Sequence, residues 1–204
     1  MTIKIVTLTD RIKNDAAMHL SQSDQIMAGL ISKHGSCRIG TKRRDPFDIL
    51  ATSIISQQLS VKAADTIEKR VRALVTSFQP ETVLTISHDA LRGAGLSNGK
   101  AKYIHALATH VMDGRLDFER LKKSHDEEVI EALTEVPGIG RWTAEMFLIF
   151  GLKRADVLAV GDVALQRAVR NLYGSRKTLE NAGKKWRPYA SVASWYLWRS
   201  LEGT

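Results

Sequence analysis

The stretch Leu133-Thr-Glu-Val-Pro-Gly-Ile-Gly-Arg-Trp-Thr-Ala-Glu-Met-Phe147 decides the architecture. It reads as a helix, a tight glycine hairpin and a second, apolar helix. Gly138 and Gly140 permit a close backbone approach. The start of the second helix offers N–H groups without intrahelical partners, and a dipole that favours a phosphate. A site built this way reads the backbone of a nucleic acid and not its bases. Glycine and proline also punctuate ordinary helix–helix turns that bind nothing. The complete run Pro137-Gly-Ile-Gly-Arg-Trp-Thr-Ala144, its two helical flanks and the basic balance of the chain favour phosphate binding over a plain turn.

Outward from the hairpin, apolar residues recur at three and four positions with little sustained alternation, so the chain is expected to be all-α. A helix from about Asp15 to His34 would line one face with Met18, Ile26, Met27, Leu30 and Ile31. Pro46 opens a clearer one, with Phe47, Leu50, Ala51, Ile54 and Ile55 on the i, i+3, i+4, i+7, i+8 stripe. Gln57-Gln58-Leu59 interrupts it. Ser60 is expected to cap the next helix, whose stripe is Val61, Ala64, Ile67, Val71 and Leu74. Ser87 and Ser97 read as two more caps. Ser124 with Glu127 fits a capping box ahead of Val129, Ile130 and Leu133. Asp162 reads as the cap of a helix carrying Leu165, Ala168, Val169 and Leu172. With no repeat or linker, residues 1–204 read as one helical unit around the 133–147 motif. A bilobed form, in which the N-terminal helix returns to pack with the C-terminal ones, stays open.

Composition narrows the function. Among 204 residues, 30 Lys+Arg against 22 Asp+Glu leave a net charge of +8, which suits a polyanion. The single cysteine, Cys37, excludes an intrachain disulfide, a Cys-rich zinc site and a four-cysteine iron–sulfur cluster. No signal core or long apolar run is present, so the expected location is the cytoplasm, or the nucleoid or nucleus where the genome lies. No membrane partner is expected.

Four ordered blocks resemble one family. They are Asp45-Pro-Phe-Asp48 running into Ile54-Ile-Ser-Gln-Gln-Leu-Ser60; Val136-Pro-Gly-Ile-Gly-Arg-Trp-Thr-Ala144; Val160-Gly-Asp-Val-Ala-Leu165; and Trp186-Arg-Pro-Tyr189 through Trp195-Tyr-Leu-Trp198. Together with the helices between them they resemble the helix-hairpin-helix DNA glycosylase superfamily, most closely its 3-methyladenine DNA glycosylase II branch, in a compact form without the extra N-terminal β-rich domain of some relatives.

That resemblance implies two helical lobes with the active site in the cleft between them. It also implies a monofunctional glycosylase that hydrolyses the N-glycosidic bond of alkylated purines such as 3-methyladenine and 7-methylguanine in base excision repair. Asp162 falls where the family keeps its catalytic aspartate. A carboxylate there would stabilise positive charge on the deoxyribose as the base departs. Trp142 stands where lyase-competent relatives have a nucleophilic lysine, and tryptophan cannot form a Schiff base. Trp142, Trp198 and Met146 are the implied base-pocket residues, with Met146 in a place that is aromatic in some relatives. Gln58 and Leu59 fall in the segment that fills the duplex after base flipping, and one of them is the implied wedge. Gly138, Gly140, Arg141 and Thr143 complete the implied DNA contacts.

Backbone carbonyls of Thr134, Val136 and Ile139 would hold a structural Na+ or K+, with no cofactor for catalysis. The implied partner is double-stranded DNA with alkylated bases, bound by a monomer. Two alternatives remain at this point: a noncatalytic helix-hairpin-helix DNA-binding protein, and a glycosylase for another damaged base.

Overall fold

The structure is a computed structural model that describes residues 5–41 and 45–202. Among them the chain forms α1 (Asp10–Ser23), α2 (Gln25–His34), α3 (Pro46–Ser56), α4 (Val61–Arg72), α5 (Pro80–Val83), α6 (His88–Gly93) and α7 (Asn98–Met112). It continues with α8 (Phe118–Leu121), α9 (Asp126–Thr134), α10 (Arg141–Met146), a π-helical turn over Phe147–Gly151, α11 (Val163–Tyr173), α12 (Leu179–Gly183) and α13 (Ala190–Ser200). The all-α expectation holds, since the one β feature among the described residues is an isolated bridge between Thr7 and Arg154. No described helix is long and apolar enough to cross a membrane.

The helices group into two compact units. One joins Met1–Arg43 to Leu148–Thr204, and the other is Arg44–Phe147. In the discontinuous unit α13 packs on α1, α2 and α11, and buries Val192, Ala193, Tyr196 and Leu197. Trp186 is its largest fully buried side chain.

The helix expected over 15–34 is two helices, broken at Asp24. That residue adopts an extended backbone, and its Oδ1 caps α2 by accepting from Ile26 N–H at 3.0 Å. Its Oδ2 accepts from Tyr173 Oη at 2.8 Å and Trp186 Nε1 at 3.1 Å. A buried carboxylate needs this satisfaction, and a continuous helix would not give Asp24 its capping role. The break also turns the apolar face: Leu20, Met27 and Leu30 are buried, whereas Met18 is exposed.

In the contiguous unit α3 packs on α4 and α7, α5 and α6 on α7, and α9 on α10. Asp45 caps α3 through Phe47 N–H, Pro46 occupies its first turn, and all five expected stripe residues are buried. Full burial of a large aliphatic or Phe contributes about 1.5–3 kcal/mol, so this face anchors the unit. The Ser60, Ser87 and Ser97 caps form as expected.

Two expectations for this unit are corrected. On α4, Ala64 and Val71 are buried but Val61 and Leu74 are exposed. Val61 lies in the first turn, where helical side chains lean back toward the preceding loop, and Leu74 falls beyond the helix end, off its period. The capping box ahead of α9 is shifted by one residue. His125 is the N-cap, and Glu128 accepts from its N–H at 2.8 Å. Ser124 is occupied donating to Arg120 carbonyl, and Glu127 is held by Arg141.

Candidate active site and nucleic-acid interface

The hairpin follows α9 directly. Ile139 N–H donates to Val136 carbonyl at 3.0 Å, and Gly140 is the N-cap of α10. Its two glycines do different work. Gly138 has φ +90°, and a Cβ there would lie 2.3 Å from the Tyr103 ring, so both its backbone and its neighbour demand glycine. Gly140 has an extended backbone with nothing within 4 Å of a Cβ. Having no side-chain acceptor, it leaves the start of α10 without a side-chain cap.

The charge around this motif is the reverse of the chain's. Asp126, Glu127, Glu128, Glu131, Glu135 and Glu145 stand against Arg141 alone. Arg141 is engaged by Glu127 in a two-pronged pair at 2.6 and 3.0 Å and by Glu145 at 3.3 Å. The Arg141 guanidinium holds the Glu127 carboxyl below its ordinary range. What the hairpin offers an anion is therefore backbone N–H, not side-chain charge.

The loop between α3 and α4 is tied to the hairpin. Gln57 Nε2 donates to Gly138 carbonyl at 2.9 Å. Lys100 Nζ donates to the carbonyls of Ile55 and Gln57, closing the C-terminal end of α3, and burial lowers its pKa. Next in this braced loop, Gln58 takes φ +57°. A left-handed non-glycine residue costs about 1–3 kcal/mol and persists where its surroundings over-determine it. Leu59 follows, 38% exposed.

Within the same unit, Gln58, Trp142, Thr143 and Met146 line one cavity of about 350 Å³ together with Ser53, Ser56 and Gln57. The volume lies in the range of small-molecule sites. Trp142 is 50% exposed, so it is not a core tryptophan, whereas Thr143 is buried in the wall.

The discontinuous unit holds a second grouping. Asp162, 6% exposed, closes a turn by donating its N–H to Ala159 carbonyl at 3.0 Å. Its Oδ1 caps α11, accepting from Leu165 N–H at 2.7 Å, and lies 3.5 Å from Trp198 Nε1. Trp198 is half-buried and stacks on Phe150, with ring centroids 5.8 Å apart. Val163, next to the carboxylate, is 72% exposed. Trp186 and Tyr196, by contrast, are core residues.

Phe150, Gln57, Lys100 and Tyr103 are the participants that sequence reasoning missed. Phe150 had a signal in its four-residue spacing from Met146 and Trp142; it lies in the π turn, a feature frequent at functional sites. Among the described residues no cluster of His, Cys, Asp or Glu is arranged to hold a metal ion.

A tight hairpin with an uncapped helix behind it, and a carboxylate fixed at the start of a later helix, define a class that comparison with known proteins identifies. Residues 51–188 match the HhH-GPD superfamily base excision DNA repair protein model, and the chain belongs to that superfamily. It is 31% identical over 196 residues to DNA-3-methyladenine glycosylase 1 of Schizosaccharomyces pombe, covering 91% of this chain and 86% of that protein. Among solved structures it is similar to a DNA-3-methyladenine glycosidase from Bacillus halodurans, with a TM-score of 0.80, 39% identity, and 97% and 92% of the two chains covered. It is likewise similar to the S. pombe 3-methyladenine DNA glycosylase in complex with abasic DNA, with a TM-score of 0.81, 29% identity, and 91% and 96% covered.

Proposed function

We propose that this protein is a monofunctional DNA glycosylase that releases alkylated purines, such as 3-methyladenine and 7-methylguanine, from double-stranded DNA in base excision repair. The observation that carries this reading is Asp162, a carboxylate held by Leu165 N–H beside the Trp198 indole. The names of the similar proteins support the substrate class.

In the proposed reaction the C1′–N bond breaks and its electron pair leaves with the base. Positive charge grows on the deoxyribose, and a fixed carboxylate stabilises it without having to reorganise. Water then supplies oxygen to C1′ and loses a proton. A purine alkylated at a ring nitrogen already carries positive charge, which lowers the demand for a general acid. It also favours an aromatic face as receptor, and Trp142 and Trp198 are each proposed as such a face, with Met146 lining the same cavity as Trp142. Trp142 offers no amine for a Schiff base, so hydrolysis would proceed without a lysine-dependent lyase step.

Gln58 or Leu59 would fill the vacated stack, presented by the left-handed turn at Gln58. Gly138, Gly140, Arg141 and Thr143 would make the hairpin contact, chiefly through backbone N–H groups. Carbonyls of Thr134, Val136 and Ile139 fit a monovalent cation in donor type, being hard backbone oxygens at the end of α9 and in the hairpin, of which the Val136 carbonyl also accepts from Ile139 N–H. Such a cation would bridge hairpin and phosphate. The chain is proposed to act as a monomer.

The test is chromatographic detection of bases released from methylated duplex DNA, comparing native protein with Asp162→Asn at matched DNA occupancy. Release by the native protein and a loss of about 10²–10³-fold in the variant is expected. Tight binding with no release would turn the reading toward a noncatalytic DNA-binding protein or another lesion, and equal release would remove Asp162 from the chemistry.

A further inference from the structure

The positive charge of this chain is not at its hairpin. Between Gln166 and Lys185 stand Arg167, Arg170, Arg176, Lys177, Lys184 and Lys185 against Glu180 alone. This run begins on α11, shortly after Asp162, and continues past α12. Part of it is gathered around a concave surface of about 320 Å³, lined by Gln166, Arg170, Ser175, Lys177, Thr178 and Glu180. Val160 lines the same cavity, and Gln166 Nε2 donates to its carbonyl at 2.8 Å. The cavity is thereby fastened to the turn that carries Asp162.

The state of its cations is the second observation. Arg141, Arg72, Arg187 and Arg199 are all taken up in ion pairs. Among the described residues no ion pair holds Arg170 or Lys177, although Glu180 lines the same cavity. A planar guanidinium and an ammonium, with an amide and two hydroxyls beside them, form a donor set matched to phosphate oxygens.

We propose that this pocket is a second phosphate-binding site, which takes a backbone phosphodiester of the DNA strand through Arg170 and Lys177. The hairpin fixes register through backbone N–H groups in an acidic surrounding. The Arg170–Lys177 pocket supplies the charge-dependent part of binding on the element that carries the catalytic carboxylate. The proposal rests on DNA being the partner, but it does not depend on base release.

The experiment measures the dissociation constant of the full chain for a duplex oligonucleotide with a central abasic-site analogue, over a series of salt concentrations. Each neutralised phosphate contributes a slope of about 0.9 in log K against log salt. Arg170→Ala/Lys177→Ala is expected to weaken binding regardless of sequence and lower the slope by about one. Glu180→Gln, which removes the one carboxylate, is expected to tighten it.

The control Arg11→Ala/Lys33→Ala removes the same charge from exposed positions on α1 and α2. An equal slope change in control and pocket variants would overturn the proposal by reducing it to net charge. Failure of the native chain to bind the duplex would also overturn it. Inorganic phosphate, titrated calorimetrically, is the second probe. Phosphate binding lost in the pocket variant while its DNA slope stays native would assign the pocket to a free anion and overturn the proposal. A native chain that releases no base but still loses slope in the pocket variant would fail the catalytic reading and leave this one standing, whereas base release with an unchanged slope in the pocket variant would do the reverse.

Discussion

Two helix starts in this molecule share a backbone shape and differ in chemistry. At α10 the N-cap is Gly140, which brings no side-chain acceptor; at α11 it is Asp162, whose carboxylate accepts from Leu165 N–H. A helix start is an electropositive end with unsatisfied N–H groups. Leaving it bare suits an external anion such as a phosphate, whereas filling it with a carboxylate presents a fixed negative charge to an incipient cation. Under the proposed function, one cap position, occupied by glycine or by aspartate, would separate a surface for holding DNA from a group for opening a glycosidic bond.

Gly140→Asp gives the start of α10 the cap found at α11. Gly140→Asp has an extended backbone suited to a cap and open space for its Cβ. Folding stability should stay within about 0.5 kcal/mol, because glycine is itself a tolerable cap. Duplex affinity should fall at least about tenfold, since a carboxylate would occupy the phosphate's position. Fluorescence anisotropy with an abasic duplex reads the loss; unchanged affinity would show that the hairpin does not hold phosphate there.

Gly138→Ala sharpens the contrast between the two hairpin glycines. With φ +90° and the Tyr103 ring in the way, it should cost about 2–4 kcal/mol, against roughly zero for Gly140→Ala. Urea midpoints check both, and equal costs would mean that the Tyr103 contact yields freely. The smallest effect separates capping from catalysis at Asp162. Asp162→Ala should lose about 1 kcal/mol of stability by the same measurement, and Asp162→Asn only a few tenths, because Asn caps as well as Asp. A large loss in the Asn variant would mean that the charge, and not the cap, holds the turn.

Local signals made much of this legible in the sequence. The α3 stripe, the serine caps at Ser60, Ser87 and Ser97, the hairpin and the Asp162 cap each depend on residues within a few positions of one another. Illegible features depended on distant partners. Nothing near Asp24 in sequence announces that Tyr173 and Trp186 will meet it, and without them the 15–34 pattern reads as one helix. Lys100 and Tyr103 look like ordinary α7 residues until Ile55, Gln57 and Gly138 are placed beside them. The α9 capping box failed differently: Ser124 and Glu127 have the right spacing, but Arg120 carbonyl and Arg141 compete for them and His125 with Glu128 takes the role. The charge pattern was legible only in sum, because a net value of +8 conceals an acidic hairpin and a basic segment after Asp162.

The discontinuous unit also dictates an order of assembly during synthesis. Arg44–Phe147 is contiguous and has its own core, so it has all its partners as soon as it leaves the ribosome. Leu20, Met27 and Leu30 emerge earlier, yet α11 and α13, which complete their unit, come last. At about 5–20 residues per second the nascent amino-terminal helices wait for roughly ten to thirty seconds with their apolar faces uncovered. That interval is where a chaperone would engage this chain, and where slower translation of the middle segment would lengthen the exposure.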